Sequence, residues 1–167
     1  MTIQQAAVGI RPESRSTVAV GGFTNSPYIY AYPFTHGTGF GARLSNPGTL
    51  PPNNVRWAVF NNARTIVMGG TVFSTWHAMY PLTAAGFGTK FADPTNNFTD
   101  AGGSSGFNSI NPTDTSYILS ANSTPYIHAW KWSNANGFGT KYANPGTGLG
   151  AAPRAIGFGP TGNVIFV

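Results

Sequence analysis

The nine residues "GFGTKYANP" at 137 to 145 recur almost unchanged as "GFGTKFADP" at 86 to 94, and more loosely as "GFGARLSNP" at 39 to 47. Their first glycines, Gly39, Gly86 and Gly137, stand 47 and 51 residues apart, so the chain repeats with a period near fifty. A repeat of that length restricts a chain to architectures in which one small unit is stacked several times. Eight residues ahead of each first glycine lies an alanine (Ala31, Ala78, Ala129), inside the strand-like segments "PYIYAYPF", "STWHAMYPL" and "PYIHAWKW". That offset aligns Tyr30 with His77 and His128, and Tyr32 with Met79 and Trp130. After the glycines, Arg43, Lys90 and Lys141 fall at matching places.

A second segment alternates with the first. "VGIRPESRSTVAVGG", "AVFNNARTIVMGG", "NSINPTDTSYILS" and "IGFGPTGNVIFV" are anchored on Ile10, Phe60, Ile110 and Phe158, at spacings of 50, 50 and 48 residues. Prolines follow two residues later at Pro12, Pro112 and Pro160. Each copy reads as strand, tight turn, strand, with Asn, Gly or Pro where the reversal needs a fixed or positive φ. Segments such as "TIVMG", "SYILS" and "NVIFV" have the β-branched and aromatic character of buried strands. This unit is termed hairpin A. The other, pairing "PYIHAW" with "TKYANP" across the GFG loop, is hairpin B.

Composition agrees with strands and turns. Glycine (22) and proline (13) break helix interiors, while 41% hydrophobic and 14% aromatic residues supply a core. One A plus one B makes about four strands in about fifty residues, the dimensions of one blade of a β-propeller. The expected fold is therefore all-β and propeller-like, a single domain over 1–167. It divides into a half blade at 1–22 and repeats at 23–70, 71–121 and 122–167.

The "GFGPTGN" stretch at 157–163 is similar to the "sFsPdGn" hairpin of the WD40 and YVTN propeller repeats. The Trp-Asp and Gly-His signatures of WD40 repeats are missing, so the resemblance implies architecture and transfers no catalytic residue. "PYIHAW" followed by "GFGTKYANP" also resembles repeats of phage and environmental proteins described only as WD40-like.

The halves run A, B, A, B, A, B, A, giving about 3.5 blades where closed rings normally hold about four to eight. Completion by oligomerisation is the leading expectation, since unpaired strand edges invite pairing. The alternatives are a squat four-bladed ring with one irregular blade, or a chain that is part of a longer one.

Functional chemistry is sparse. The chain has no cysteine, which excludes disulfides and thiolate chemistry, and only four carboxylates, Glu13, Asp93, Asp100 and Asp114, with no repeated acid/base pair. No serine sits in a nucleophile elbow, so no enzyme activity, catalytic residue or cofactor is expected. The net charge of +5 arises from nine cations scattered singly, a pattern unlike a nucleic-acid surface. His36, His77 and His128 lie in different repeats, so no metal site is expected. The start lacks a signal-peptide pattern and no long apolar run is present, so neither secretion nor membrane insertion is expected.

The glycine-rich loops read as structural joints. Gly39, Gly41, Gly86, Gly88, Gly137 and Gly139 allow a tight or bulged connection, and Phe40, Phe87 and Phe138 plug the space between blades. Tyr30, Tyr32, Trp76, His77, Lys90, His128, Trp130 and Lys141 are the candidate ligand-binding residues, because repeated aromatic and cationic positions suit a multivalent sugar site. The leading functional expectation is a structural or adhesive component of a larger assembly, a phage or virus particle protein that associates with itself or with other virion proteins. A carbohydrate-binding propeller with a surface glycan as partner is the second reading, and a cytoplasmic protein-interaction scaffold the third.

Overall fold

The computed structural model describes residues 15–22, 26–71, 77–94, 108–120, 124–153, 155–162 and 165–166. All secondary structure among them is β, in thirteen strands. β1 (Arg15–Gly21), β2 (Ile29–Thr35) and β3 (Gly39–Phe40) form a three-stranded sheet. β4 (Val55–Phe60), β5 (Ile66–Thr71), β6 (His77–Thr83) and β7 (Gly86–Phe87) form the second sheet, of four strands. β8 (Asn108–Ile110), β9 (Ser116–Ser120), β10 (Ile127–Ser133) and β11 (Gly137–Lys141) form the third, also of four. β12 (Gly157–Phe158) and β13 (Ile165–Phe166) pair as a final two-stranded sheet. Each four-stranded sheet is an antiparallel meander in sequence order, so hairpin A and the hairpin B that follows it share one sheet. The strand expected ahead of β1 lies outside the described residues.

The A hairpins of the second and third sheets are closed by the same device. Asn61 Oδ1 accepts the N–H groups of Thr65 and Ile66, both at 2.9 Å. Asn111 Oδ1 accepts those of Thr115 at 2.7 Å and Ser116 at 2.9 Å. An asparagine side chain thus satisfies donors that a short loop leaves without ladder partners. Three residues on, each loop enters the left-handed region, at Arg64 (φ 56°), Asp114 (φ 54°) and, in the last copy, Gly162 (φ 75°). Only the last of these is the residue type that adopts such a φ without steric cost.

Neighbouring loops are also tied to one another. The Asp114 carboxylate accepts from Asn61 Nδ2 (3.0 Å), the N–H groups of Asn62 (3.0 Å) and Ala63 (3.3 Å), and Asn134 Nδ2 (3.0 Å). Asn62 Nδ2 returns a 2.8 Å bond to the Pro112 carbonyl. The tip of the third sheet thereby caps the tip of the second, with an ionised acceptor serving several donors at once.

The sheets pack face to face in chain order. Ile29, Ala31, Ala19 and Leu44 on one face of the first sheet meet Ala78, Tyr80, Leu82, Ala58, Phe60 and Phe87 on the second. From the opposite face of the second sheet, Ile66, Met79, Val59 and Phe91 meet Ile110, Tyr117, Leu119, Trp130, Trp132 and Phe138 on the third. The same pair of faces is therefore used twice. β1 lies beside β4, and β12 beside β8.

Candidate functional site

The B hairpins turn at 36–38, 84–85 and 134–136, and each GFG motif opens the strand that follows the turn instead of forming the connection itself. Gly39, Gly86 and Gly137 all have positive φ, at 85°, 130° and 80°. Gly86 and Gly137 also lie where the preceding repeat approaches: a Cβ on Gly86 would stand 2.7 Å from the Ser45 carbonyl oxygen, and one on Gly137 2.9 Å from Phe91 Cδ1. The second glycines, Gly41, Gly88 and Gly139, face Pro33, Pro81 and Lys131 across the hairpin. The aromatics between them differ in environment. Phe138 packs edge-on to Tyr117 and Trp132, each at 5.2 Å, and Phe87 edge-on to Tyr80 at 5.7 Å. Phe40, touching Phe34 and Tyr32, is 65% exposed.

Register corrects one equivalence suggested by the spacing. Phe34 pairs with Phe40, Leu82 with Phe87 and Trp132 with Phe138, so the loop after β6 is one residue shorter than its counterparts. Counted from the loops, Tyr32, Tyr80 and Trp130 are equivalent, as are Tyr30, Ala78 and His128. His77 matches Ile29 and Ile127 instead, on the opposite face from His128, because side chains alternate along a strand. The alignment of His77 with His128, and of Met79 with Trp130, is therefore offset by one residue.

His77 is buried in the junction between the second and third sheets, its ring edge-on to Tyr117 at 5.7 Å. Burial holds the imidazole neutral, with its pKa pushed down to about 3 from 6.5. The unfolded chain binds the proton more tightly, so the stability tied to neutral His77 is present in full above the unfolded value and is lost as pH falls from 6.5 toward 3. The slope approaches about 1.4 kcal/mol per pH unit within that window. Urea titrations at pH 7 and pH 5 are expected to differ more for the native chain than for His77→Ile, which installs the residue found at both equivalent positions. Equal pH dependence of the two proteins would contradict this.

Clefts open where the tail of one repeat meets the GFG strand of the next. The larger, about 330 Å³, is lined by Ala92, Asp93 and Pro94 on one side and Trp130, Asn136, Phe138, Gly139, Thr140 and Lys141 on the other. Asp93 is held by Lys90 Nζ at 2.6 Å, and the Lys141 ammonium lies 5.8 Å from the centre of the Trp130 ring. The cleft thus offers a carboxylate, an ammonium, an amide and a hydroxyl beside apolar surface. A second cleft, of about 270 Å³, is lined by Phe87, Gly88 and Thr89, which are the counterparts of Phe138, Gly139 and Thr140, together with Gly48 and Thr49.

Of the candidate ligand residues, Lys141 and Trp130 meet in the larger cleft, with Lys90 bonded to its Asp93. Trp130 is only 2% exposed and is packed with Tyr117, His128 and Phe138, which leaves it no open ring face for stacking. His77 and His128 are buried. Tyr30 and Tyr32 lie half-buried on the first sheet, with the Arg43 guanidinium 5.5 Å from the Tyr30 ring centre. Trp76 lies outside the described residues. Asp93, Asn136 and Thr140 enter the cleft without having stood out in the sequence; the signal was the invariant order of the motif, whose Asp/Asn-Pro tail meets the GFG of the following copy.

Among the described residues no three His, Asp or Glu side chains cluster as a metal site would require, and no helix is long and apolar enough to cross a membrane. No family model matches the chain, and no curated protein matches it. A solved structure described as "Structure of U3-55K" aligns with 88% of this chain and 44% of that one, at 11% identity and a TM-score of 0.49. The chain thus spans less than half the length of that protein.

Proposed function

We propose that the chain is a non-enzymatic structural or adhesive protein whose sheets are the blades of a β-propeller, serving within a larger assembly such as a virus particle. One observation carries this reading: the same pair of faces joins the first sheet to the second and the second to the third, with a GFG joint at each junction. Repetition of one interface is how blades are laid around an axis. The chemistry of the side chains points the same way. Asp114 is committed to loop capping and Asp93 to Lys90, so both carboxylates hold structure. Aromatic packing between the sheets supplies the rigidity that a particle component needs.

The test is quantitative mass spectrometry of gradient-purified particles from the producing culture. Recovery of the chain in fixed ratio to the main particle protein supports the reading; particles free of it, with the chain left in the soluble fraction, contradict it.

A second reading, a multivalent carbohydrate-binding propeller, is favoured by the repetition of the cleft at the two junctions. Hydroxyl, amide and charged groups beside Phe138 suit a sugar held by hydrogen bonds at its edge. Glycan-array binding lost on Thr140→Ala with Lys141→Ala, both on the outer strand β11, would place the function here. Absence of binding by folded protein would leave the structural reading alone.

A further inference from the structure

The B hairpins carry the same irregularity three times. Gly41 N–H donates to the Pro33 carbonyl and Leu44 N–H to that of Ala31, both at 2.9 Å, so Ala42 and Arg43 together stand opposite Tyr32 alone. Gly88 and Phe91 bond Pro81 and Met79 in the same way, at 2.8 and 2.9 Å, which sets Thr89 and Lys90 opposite Tyr80. In the third sheet Trp130 pairs with Lys141 and Trp132 with Phe138, so β11 again carries one residue more than β10. Each of these is a β-bulge, which re-aims side chains that a regular pleat would send to opposite faces. Thr140 and Lys141, neighbours in sequence, accordingly line one and the same cleft.

The three bulge cations are used differently. The Arg43 guanidinium lies 5.5 Å from the centre of the Tyr30 ring. Lys90 Nζ donates to Asp93 Oδ1 at 2.6 Å, three residues on. The third motif has Asn144 where the second has Asp93, and the Lys141 ammonium lies over the Trp130 ring on the wall of the larger cleft. Asp93 stands on the facing wall, with its charge already offset by Lys90. Two cations against one carboxylate leave this cleft a positive excess. Its counterpart at the first junction, lined by Gly48, Thr49, Phe87, Gly88 and Thr89, has no charged side chain among the described residues.

We propose that the larger cleft is a site for one acidic sugar, a pyranose bearing a carboxylate. The carboxylate is taken by the Lys141 ammonium in a charge-assisted hydrogen bond. Ring hydroxyls donate to the Asp93 carboxylate across the cleft and bond the Asn136 amide and the Thr140 hydroxyl beside it. The smaller cleft lacks any charge to select for an acid, so the acid-dependent site occurs once in the chain. The inference rests on the carbohydrate reading above and names the ligand class of that cleft.

The test is a titration of the purified full chain, followed by amide NMR spectra, with galacturonate and N-acetylneuraminate; galactose serves as the neutral control and acetate as the simple anion. At millimolar concentration at least one of the two acids is expected to shift the signals of Asn136, Thr140 and Lys141 and to leave those of Thr49 and Thr89 in place. Lys141→Gln is expected to weaken that binding by at least about tenfold, and Lys141→Arg to retain it. Lys131→Gln removes the same charge from the opposite face of β10 and is expected to change nothing. Galactose acting as strongly as the acids, acetate reproducing their shifts, or Lys131→Gln matching Lys141→Gln would each overturn the proposal. Of these, equal binding of galactose at the cleft would leave the carbohydrate reading in place. No shift at either cleft from any of the three sugars would remove both.

Discussion

Trp132→Ala is expected to be strongly destabilising, at about 3–5 kcal/mol. The indole is 4% exposed and lies edge-on to Phe91 and Phe138, each at 5.2 Å, and its Nε1–H donates to Asn134 Oδ1 at 2.8 Å. Truncation removes the side chain that joins the second sheet to the third and leaves a void that the two sheets close only by shifting. The informative control is Phe34→Ala, the counterpart on the first sheet, whose cost is expected near about 1 kcal/mol because its ring is only half-buried. Both are best measured by urea unfolding at one matched, low protein concentration. Equal losses would mean that the third sheet's aromatic face is not the buried side of a junction.

The glycine series gives the second large effect. Gly86→Ala meets two penalties. Its φ of 130° lies where side chains rarely go, and the new Cβ would stand 2.7 Å and 2.9 Å from the Ser45 backbone O and N. Backbone cannot step aside as a side chain does, so the combined cost is about 2–4 kcal/mol. Gly137→Ala meets the Phe91 ring, which can yield, and should cost less. At Gly39 no described residue lies within 4 Å of a new Cβ, so Gly39→Ala meets the φ penalty, about 1–2 kcal/mol. The predicted order of loss in urea unfolding is therefore Gly86, Gly137, Gly39. If Gly39→Ala proved the most damaging, the glycines would be acting through loop conformation alone.

Much of the local architecture is written in the sequence. The "FNNART" and "INPTDT" loops announce the Asn61 and Asn111 turns, and the apolar runs beside them are the strands that the structure shows. The all-β class follows from the same features. The relation between repeats is less legible. A constant offset from alanine to glycine hides the shorter loop after β6, because Ala78 happens to lie where Ala31 and Ala129 would be expected. The comparison of "AYPFT" with "MYPLT" carries the true register, and with it the placement of His77 on the opposite face from His128.

Exposure is the other quantity that a linear reading lacks. Tyr32, Tyr80 and Trp130 share one position, yet two are buried and one is half-open, because coverage depends on whether a repeat precedes in space. The Asp114 capping of the neighbouring loop is likewise a contact between residues about one repeat apart, and no local pattern around Asp114 predicts which donors it meets. The clefts at the junctions have the same origin, since each draws its lining from the tail of one motif and the head of the next.

The central claim is that the repeated face-to-face junction lays the sheets around a common axis. An electron-density map of the purified protein, from crystals or single-particle images, tests it directly. The expected result is a toroid in which each meander runs outward from a central channel and Phe91 lies over Gly137 at a junction repeated all the way round. Sheets stacked in a straight layered rod, with no channel and no recurrence of that contact, would contradict it.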